Sequence, residues 1–185
     1  MAGILLYFSW AIAALAVGSI LIYNGLMASA QRVQEAWSTI NTQLKRRYDL
    51  VPNLIETVKG ASKHESETLE KVTEARRLAM SATDPAAKAK AENVLTGALK
   101  TIFALSENYP NLKANENFLS AQHTLEDTET KIQAARQFYN TVVATFNTRI
   151  KTFPGNIIAN MFHIEEAPYF ELDSAEVQQA PKVRF

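Results

Sequence analysis

The chain has 185 residues, with 19 lysines and arginines balancing 19 aspartates and glutamates, and no cysteine. That length suits one domain of about 100–200 residues, and an apolar content of 47% allows a real core in place of compositional disorder. The missing cysteines exclude disulfides, thiolate nucleophiles and thiolate zinc sites. A net charge of zero lacks the basic surplus that meets phosphate, so nucleic acid is not an expected partner.

Residues 2–23 carry no ionisable side chain except Tyr7 and Tyr23, and the first formal charge is Arg32. About 20 apolar residues at ~1.5 Å each span the ~30 Å hydrocarbon core. Tyr7, Trp10 and Tyr23 lie toward the ends, where rings favour the headgroup zone. A cleaved secretory signal is the rival reading, because Ala28-Ser29-Ala30 has small-residue cleavage character. No lysine or arginine precedes the run, however, and it exceeds the ~7–15 apolar residues of a signal. A buried core helix ranks third, since the segment is apolar on every side. Residues 1–25 are therefore expected to form a transmembrane anchor. Arg32, Lys45, Arg46 and Arg47 follow it while only the α-amino group precedes it, so the positive-inside bias places the C-terminal domain in the cytoplasm.

Residues 26–153 are expected to form an antiparallel up-and-down helical bundle, an all-α fold on a single N-terminal transmembrane helix. Leu26, Ala30, Val33, Trp37, Ile40, Leu44 and then Tyr48 or Val51 draw one helical stripe. No breaker separates it from the membrane segment, so one continuous helix is expected to hold the domain upright on its anchor. Pro52 ends or kinks that helix, because proline lacks an amide donor and disfavours the helical conformation of the residue before it. A second stripe runs through Leu54, Ile55, Val58, Leu69, Val72, Ala75 and Ala79, interrupted at Gly60, with capping-box spacing at Ser62-Lys63-His64-Glu65. Asp84-Pro85 opens a third helix carrying Ala91, Val94, Leu95, Ala98, Ile102 and Leu105. After an asparagine-rich turn, the longest helix carries Phe118, Gln122, Leu125, Ile132, Tyr139, Val143, Phe146, Ile150 and Phe153, and Pro154-Gly155 terminates it. Residues 154–185 form a proline-punctuated tail that is too apolar to be indifferent. It either packs back on the bundle or offers itself to a partner.

The segment Leu44 to Gly60 (LKRRYDLVPNLIETVKG) resembles the signature of the LemA family. So do Lys63-His64-Glu65, the turn Tyr109 to Asn115, Asn117-Phe118-Leu119, Thr128-Glu129, Ala135-Arg136 with Tyr139-Asn140, and Phe153-Pro154. Tyr169-Phe170-Glu171 and Pro181-Lys182-Val183 are similar as well. The likeness covers nearly the whole chain from Tyr23-Asn24 onward. It implies a bacterial membrane protein of the cytoplasmic (inner) membrane, with one N-terminal span and a helical bundle. It brings no enzymatic activity. Some relatives occur beside membrane zinc proteases of the heat-shock type, and one branch serves in magnetosome membrane formation. The chain departs from the family pattern at Ala121-Gln122, where the family has Leu-Gln, and at Phe162-His163, where it has Phe-Gly.

No catalytic or metal-binding spacing stands out. His64-Glu65 lacks the second histidine of a zinc protease helix, Thr68 standing in its place, and His123 and His163 have no partner at ligand spacing. A di-metal carboxylate site needs glutamate three residues before a histidine, and those positions hold Ala61, Ser120 and Asn160. No cofactor is expected. Glu129 and Arg136 fall in line with the stripe of the longest helix, and Arg76 lies near the inward line between Val72 and Ala79. Buried charges must be paired, so these three are expected to form interhelical ion pairs, with Arg46, Arg47 or Glu56 as partners. Arg46, Arg47, Asp49 and Asn53 at the expected bend, with Phe170 in the tail, are the candidate partner contacts.

Together these features point to a non-enzymatic scaffold displayed on a membrane and tied to membrane protein quality control or membrane organisation. Its expected partners are the membrane itself and either another protein or further copies of the chain. The alternatives are a self-associating membrane-shaping protein and, behind it, an unrecognised hydrolase.

Overall fold

A computed structural model describes residues 2–61 and 65–171, and all its regular structure is helical. The helices are α1 (Ala2–Ala61), α2 (Ser66–Ser81), α3 (Pro85–Ser106), α4 (Pro110–Lys113), α5 (Glu116–Lys151) and α6 (Gly155–Met161). Ser62 to His64 of the expected capping box, and the tail from Leu172 onward, including Pro181, lie outside the described residues. Contacts group the chain into two compact units, residues 1–39 with 137–168 and residues 40–136 with 169–185, and α1 and α5 contribute to both.

In the first unit, α1 carries Tyr7, Phe8, Trp10, Ile12, Leu15, Val17, Ile20 and Leu21 with more than half of each side chain exposed. Among the described residues only α1 is long and apolar enough to cross a membrane, judged by length and composition. Burial begins at Leu26 and continues through Ser29, Val33 and Ala36, which face the same core as Tyr139, Val143, Phe146 and Ile150 of α5. Trp37 and Tyr139 pack with ring centroids 5.5 Å apart. An Arg149 Nη1 donates to Ser29 Oγ.

The chain then turns back on α5. Gly155, Ile158 and Ala159 of α6 are buried. An added Cβ at Gly155 would stand 2.2 Å from the Arg149 carbonyl oxygen and 3.9 Å from Leu26 Cδ2, so a side chain has no room. Beyond α6, the buried Asn147 amide clamps Ala167, its Nδ2 donating to the Ala167 carbonyl and its Oδ1 accepting from the Ala167 N–H, each at 2.9 Å. Tyr139 OH donates to the Pro168 carbonyl at 2.8 Å. The part of the tail through Pro168 thus packs back, α6 through Ile158 and Ala159 and the segment beyond it through the Ala167 and Pro168 backbone groups.

The second unit is a bundle of α1 from Ile40, α2, α3 and α5 through Arg136, with α4 as a one-turn link. Its core holds Ile40, Leu44, Val51, Leu54 and Val58 of α1, and Val72, Leu95, Ile102, Phe118, Leu125 and Ile132 of the others. The short connection at 82–84 folds α2 and α3 into a hairpin. Asp84 caps α3, its Oδ1 accepting from the Ala86 and Ala87 amides at 3.1 and 2.9 Å, with Pro85 following. Asn115 caps α5 in the same way, accepting from Asn117 and Phe118.

Three expectations need correction. Of the two outcomes expected at Pro52, a bend or an end, the end is overturned: α1 continues to Ala61, so Leu54, Ile55 and Val58 extend the first stripe and do not open a second. Val94 is 56% exposed, because the inward line of α3 runs through Lys88, Ala89, Glu92, Leu95, Leu99, Ile102 and Ser106. Phe153 is exposed, because α5 stops at Lys151 and Phe153 lies beyond its last turn.

A buried polar cluster as the candidate functional site

Arg47 and Tyr48 are adjacent on α1 and both are buried, Arg47 at 2% exposure. Successive helical residues diverge by about 100°, so both can be buried only where α1 is flanked by neighbours on two sides. α3 brings Glu92 to the pair. Its Oε2 lies 3.0 Å from Arg47 Nη2, and its Oε1 accepts a short hydrogen bond from Tyr48 OH. The same Nη2 donates to Thr96 Oγ1 at 2.8 Å and to the Glu92 carbonyl at 3.2 Å. Arg47 Nη1 forms a close ion pair with Glu129 of α5. One guanidinium therefore joins α1, α3 and α5.

The neighbouring groups serve helix ends and backbone. Lys88 Nζ, 5.8 Å from the Tyr48 ring centroid, donates to the Ala79 and Ala82 carbonyls at 3.2 and 2.9 Å. Cations suit these C-terminal carbonyls of α2, which have no intrahelical amide. Tyr48 OH also reaches the Ala79 carbonyl at 3.3 Å, and Arg76 Nε donates to the Tyr48 carbonyl at 2.7 Å. Among the described residues, Arg47 Nε and Glu92 Oε2 have no hydrogen-bond partner, the carboxylate oxygen being at ion-pair distance but off the N–H direction.

Burial sets the ionisation of the cluster. It pushes the Glu92 carboxyl above the usual range, against the pull of Arg47 and the Tyr48 hydrogen bond. It pushes the Tyr48 phenol far up as well, helped by the Glu92 charge and hydrogen bond. Burial also lowers Lys88, with Glu92 opposing. A phenol held neutral is a donor and not a base, and the cations here are engaged by carboxylates or carbonyls. The arrangement positions helices. It opens on one side into a cleft of about 350 Å³ between α3 and α5, whose floor includes Arg47, Thr96, Leu99, Phe103 and Glu129.

The candidate residues from the sequence separate accordingly. Arg46, Asp49 and Asn53 are exposed on the outer face of α1. Arg47 and Phe170 are corrections to the expected partner contacts. Both are buried, Arg47 against Glu92 and Glu129 and Phe170 at 1% exposure, so neither is presented to a partner. Glu129 meets Arg47. Arg76 serves a backbone carbonyl where an acidic partner was expected, because the proline on α1 left that carbonyl open. Arg136 is half-buried and forms no ion pair with a described residue. Glu92, Lys88 and Tyr48 were not singled out as polar partners from the sequence. The signal is present in α3, where Glu92, Leu95, Leu99 and Ile102 follow steps of three and four, but a stripe chosen for apolar residues runs through Val94 and passes Glu92 by.

The chain as a whole is similar to known proteins. The family model described as LemA family matches residues 36–185. Protein LemA of Metamycoplasma hominis is 29% identical over 157 residues, covering 83% of this chain and 70% of the relative. Magnetosome proteins MamQ 1 and MamQ 2 of Paramagnetospirillum magneticum are each 28% identical over 74 residues, covering 40% of this chain and 27% of theirs.

Proposed function

This chain belongs to the LemA family, and on that footing we propose that it is a membrane-anchored, non-enzymatic interaction protein that displays a helical bundle on one face of a membrane. The observation that carries the reading is α1 itself. The helix passes without interruption from an exposed apolar segment, Phe8 to Leu21, into the buried stripe from Leu26 to Val58. Exposed apolar surface of that extent calls for lipid or protein cover, and its length suits a bilayer. The polar cluster supports a positioning role, since its charges are spent on joining α1, α3 and α5. The positive-inside bias of Arg32, Lys45, Arg46 and Arg47 favours a cytoplasmic bundle on the bacterial inner membrane. The setting in this reading is membrane organisation or membrane protein quality control, and a partial likeness to two proteins named for the magnetosome goes with the first.

Arg46, Asp49 and Asn53 on the solvent face of α1 are the partner-facing positions in this reading. The test is photo-crosslinking from Arg46 and Asn53 in the full chain, in native membranes, with mass-spectrometric identification. A reproducible protein partner lost on Arg46→Glu supports the reading. A ladder of self-crosslinks alone would replace it with a self-associating membrane-shaping protein. Adducts with no protein at either position, from a chain that still fractionates with membranes, would sink the interaction role.

A further inference from the structure

The turn after α5 exposes apolar side chains where a water-facing surface would carry polar ones. Phe153, Ile157, Met161 and Phe162 are 79%, 52%, 63% and 53% exposed. Within α6, Ile157 and Met161 are spaced by four residues and share one helix face, Phe153 stands in the turn just before that helix, and Gly155, Ile158 and Ala159 form the buried face of α6. A short helix that is apolar on both its buried and its outward face is not built for water.

Its position in the first unit says what covers it. The Phe162 ring packs 4.6 Å, centroid to centroid, from Tyr23. Gly155 sits against Leu26, one turn further along α1. Tyr23 directly follows the run of exposed apolar side chains that ends at Leu21, and Leu26 is where burial begins. The outward face of α6 therefore lies level with the point where α1 leaves its apolar stretch. Of the two cations nearby, Lys151 Nζ pairs with Glu166 at 2.7 Å and Arg149 donates to the neutral Ser29 hydroxyl, so the patch has one exposed arginine beside it and no basic cluster.

We infer that Phe153, Ile157, Met161 and Phe162 form a foot that inserts into the headgroup–acyl boundary of the leaflet from which α1 emerges. The inference rests on the anchor reading of α1. The occupant is the lipid boundary itself, and a zwitterionic bilayer suffices, because insertion is apolar and the one exposed cation beside it, Arg149, can meet the phosphate that every phospholipid headgroup carries. Interfacial helices sit about 5–10 Å into this zone, where Tyr and Phe rings are also at home.

The test uses the full chain, which has no native cysteine, reconstituted in phosphatidylcholine vesicles. Single cysteines at Leu15, Ile157 and Met161 carry a small fluorophore. The quenchers are lipids brominated near the headgroup or near the bilayer centre, and aqueous iodide. Labels at Ile157 and Met161 are expected to lose about half their emission or more to the shallow-brominated lipid, matching the interfacial depth, and to resist iodide. The label at Leu15 should respond to lipid bromine throughout. If Leu15 is quenched by lipid while Ile157 and Met161 respond only to iodide, the foot is wrong and the anchor stands. If Leu15 itself escapes lipid quenching, the anchor reading fails and the foot with it. As a second measurement, the paired substitutions Ile157→Glu and Met161→Glu should abolish shallow quenching of a label at Phe153 and leave the Leu15 signal unchanged. Undiminished quenching at Phe153 would overturn the proposal.

Discussion

Arg76 Nε donates to the Tyr48 carbonyl at 2.7 Å, and this is the carbonyl that Pro52 leaves without an intrahelical amide. A proline inside a helix removes the bond to the residue four positions back and crowds that carbonyl. A donor from α2 takes the vacant place, and α1 runs on to Ala61.

The two residues should therefore be coupled. Arg76→Met is expected to cost about 1–3 kcal/mol, the penalty of stranding a buried acceptor. In a Pro52→Ala background the restored amide can take the Tyr48 carbonyl, and the cost of Arg76→Met should shrink. A double-mutant cycle on the detergent-solubilised chain, followed by urea unfolding, measures the coupling. Equal costs in both backgrounds would mean that the proline and the arginine are unrelated.

Glu92 should leave a pH signature. Its folded carboxyl titrates above the unfolded value because burial outweighs Arg47, so the folded state binds the proton more tightly. Its contribution to stability is then fully present below the unfolded carboxyl value of about 4.3 and is lost as pH rises through the folded one. The stability of the native chain minus that of Glu92→Gln should increase as pH falls from 8 toward about 4.5. Chemical denaturation across that range checks it, and a flat or inverted difference would contradict the burial-dominated environment.

Gly155→Ala should be severely destabilising for so small a change. The added methyl would stand 2.2 Å from the Arg149 carbonyl, a backbone atom that cannot rotate away, so a loss of about 1–3 kcal/mol or more is expected. The thermal midpoint by far-UV circular dichroism reports it. An unchanged midpoint would mean that α6 does not approach α5 this closely.

His163→Gly should do the opposite. His163 has φ 54°, the left-handed region that costs a side-chain-bearing residue about 1–2 kcal/mol. It sits just beyond α6 in a Schellman-type ending, with the Ile164 N–H on the Ala159 carbonyl at 2.9 Å and the His163 N–H on the Asn160 carbonyl at 3.4 Å. Glycine fits that conformation without strain, and a gain near 1 kcal/mol would raise the midpoint by about 2–4 °C. A lower midpoint would show that the imidazole makes a stabilising contact outweighing its backbone strain.

What the sequence made legible follows from how local each cause is. The apolar span and the stripe from Leu26 to Val51 are periodic patterns within one helix, and Asp84-Pro85 marks its helix start with adjacent residues. Pro52 misled because its local effect is helix-breaking, and the remedy, Arg76, lies 24 residues away on another helix. The burial of Arg47 was hidden for the same reason: its two carboxylates come from α3 and α5. Glu92 could have been found from the three-four rhythm of α3, had Val94 not been the more apolar choice. At His163 the departure from the family's Phe-Gly pattern raises doubt about a shared conformation of the tail, yet the histidine adopts the left-handed conformation that glycine favours. The burial of Phe170 had no signature, since an aromatic ring in a tail without helical periodicity reads the same whether packed or displayed.

The clamp at Asn147 sets which positions in the chain may drift. A side-chain amide offers a donor and an acceptor in one plane, as a peptide unit does, and Ala167 answers with only its own peptide groups. Nothing in that exchange inspects the methyl group at 167. The anchoring information for this contact is written once, at Asn147, while position 167 can take other small side chains so long as it is not made proline at the gripped amide.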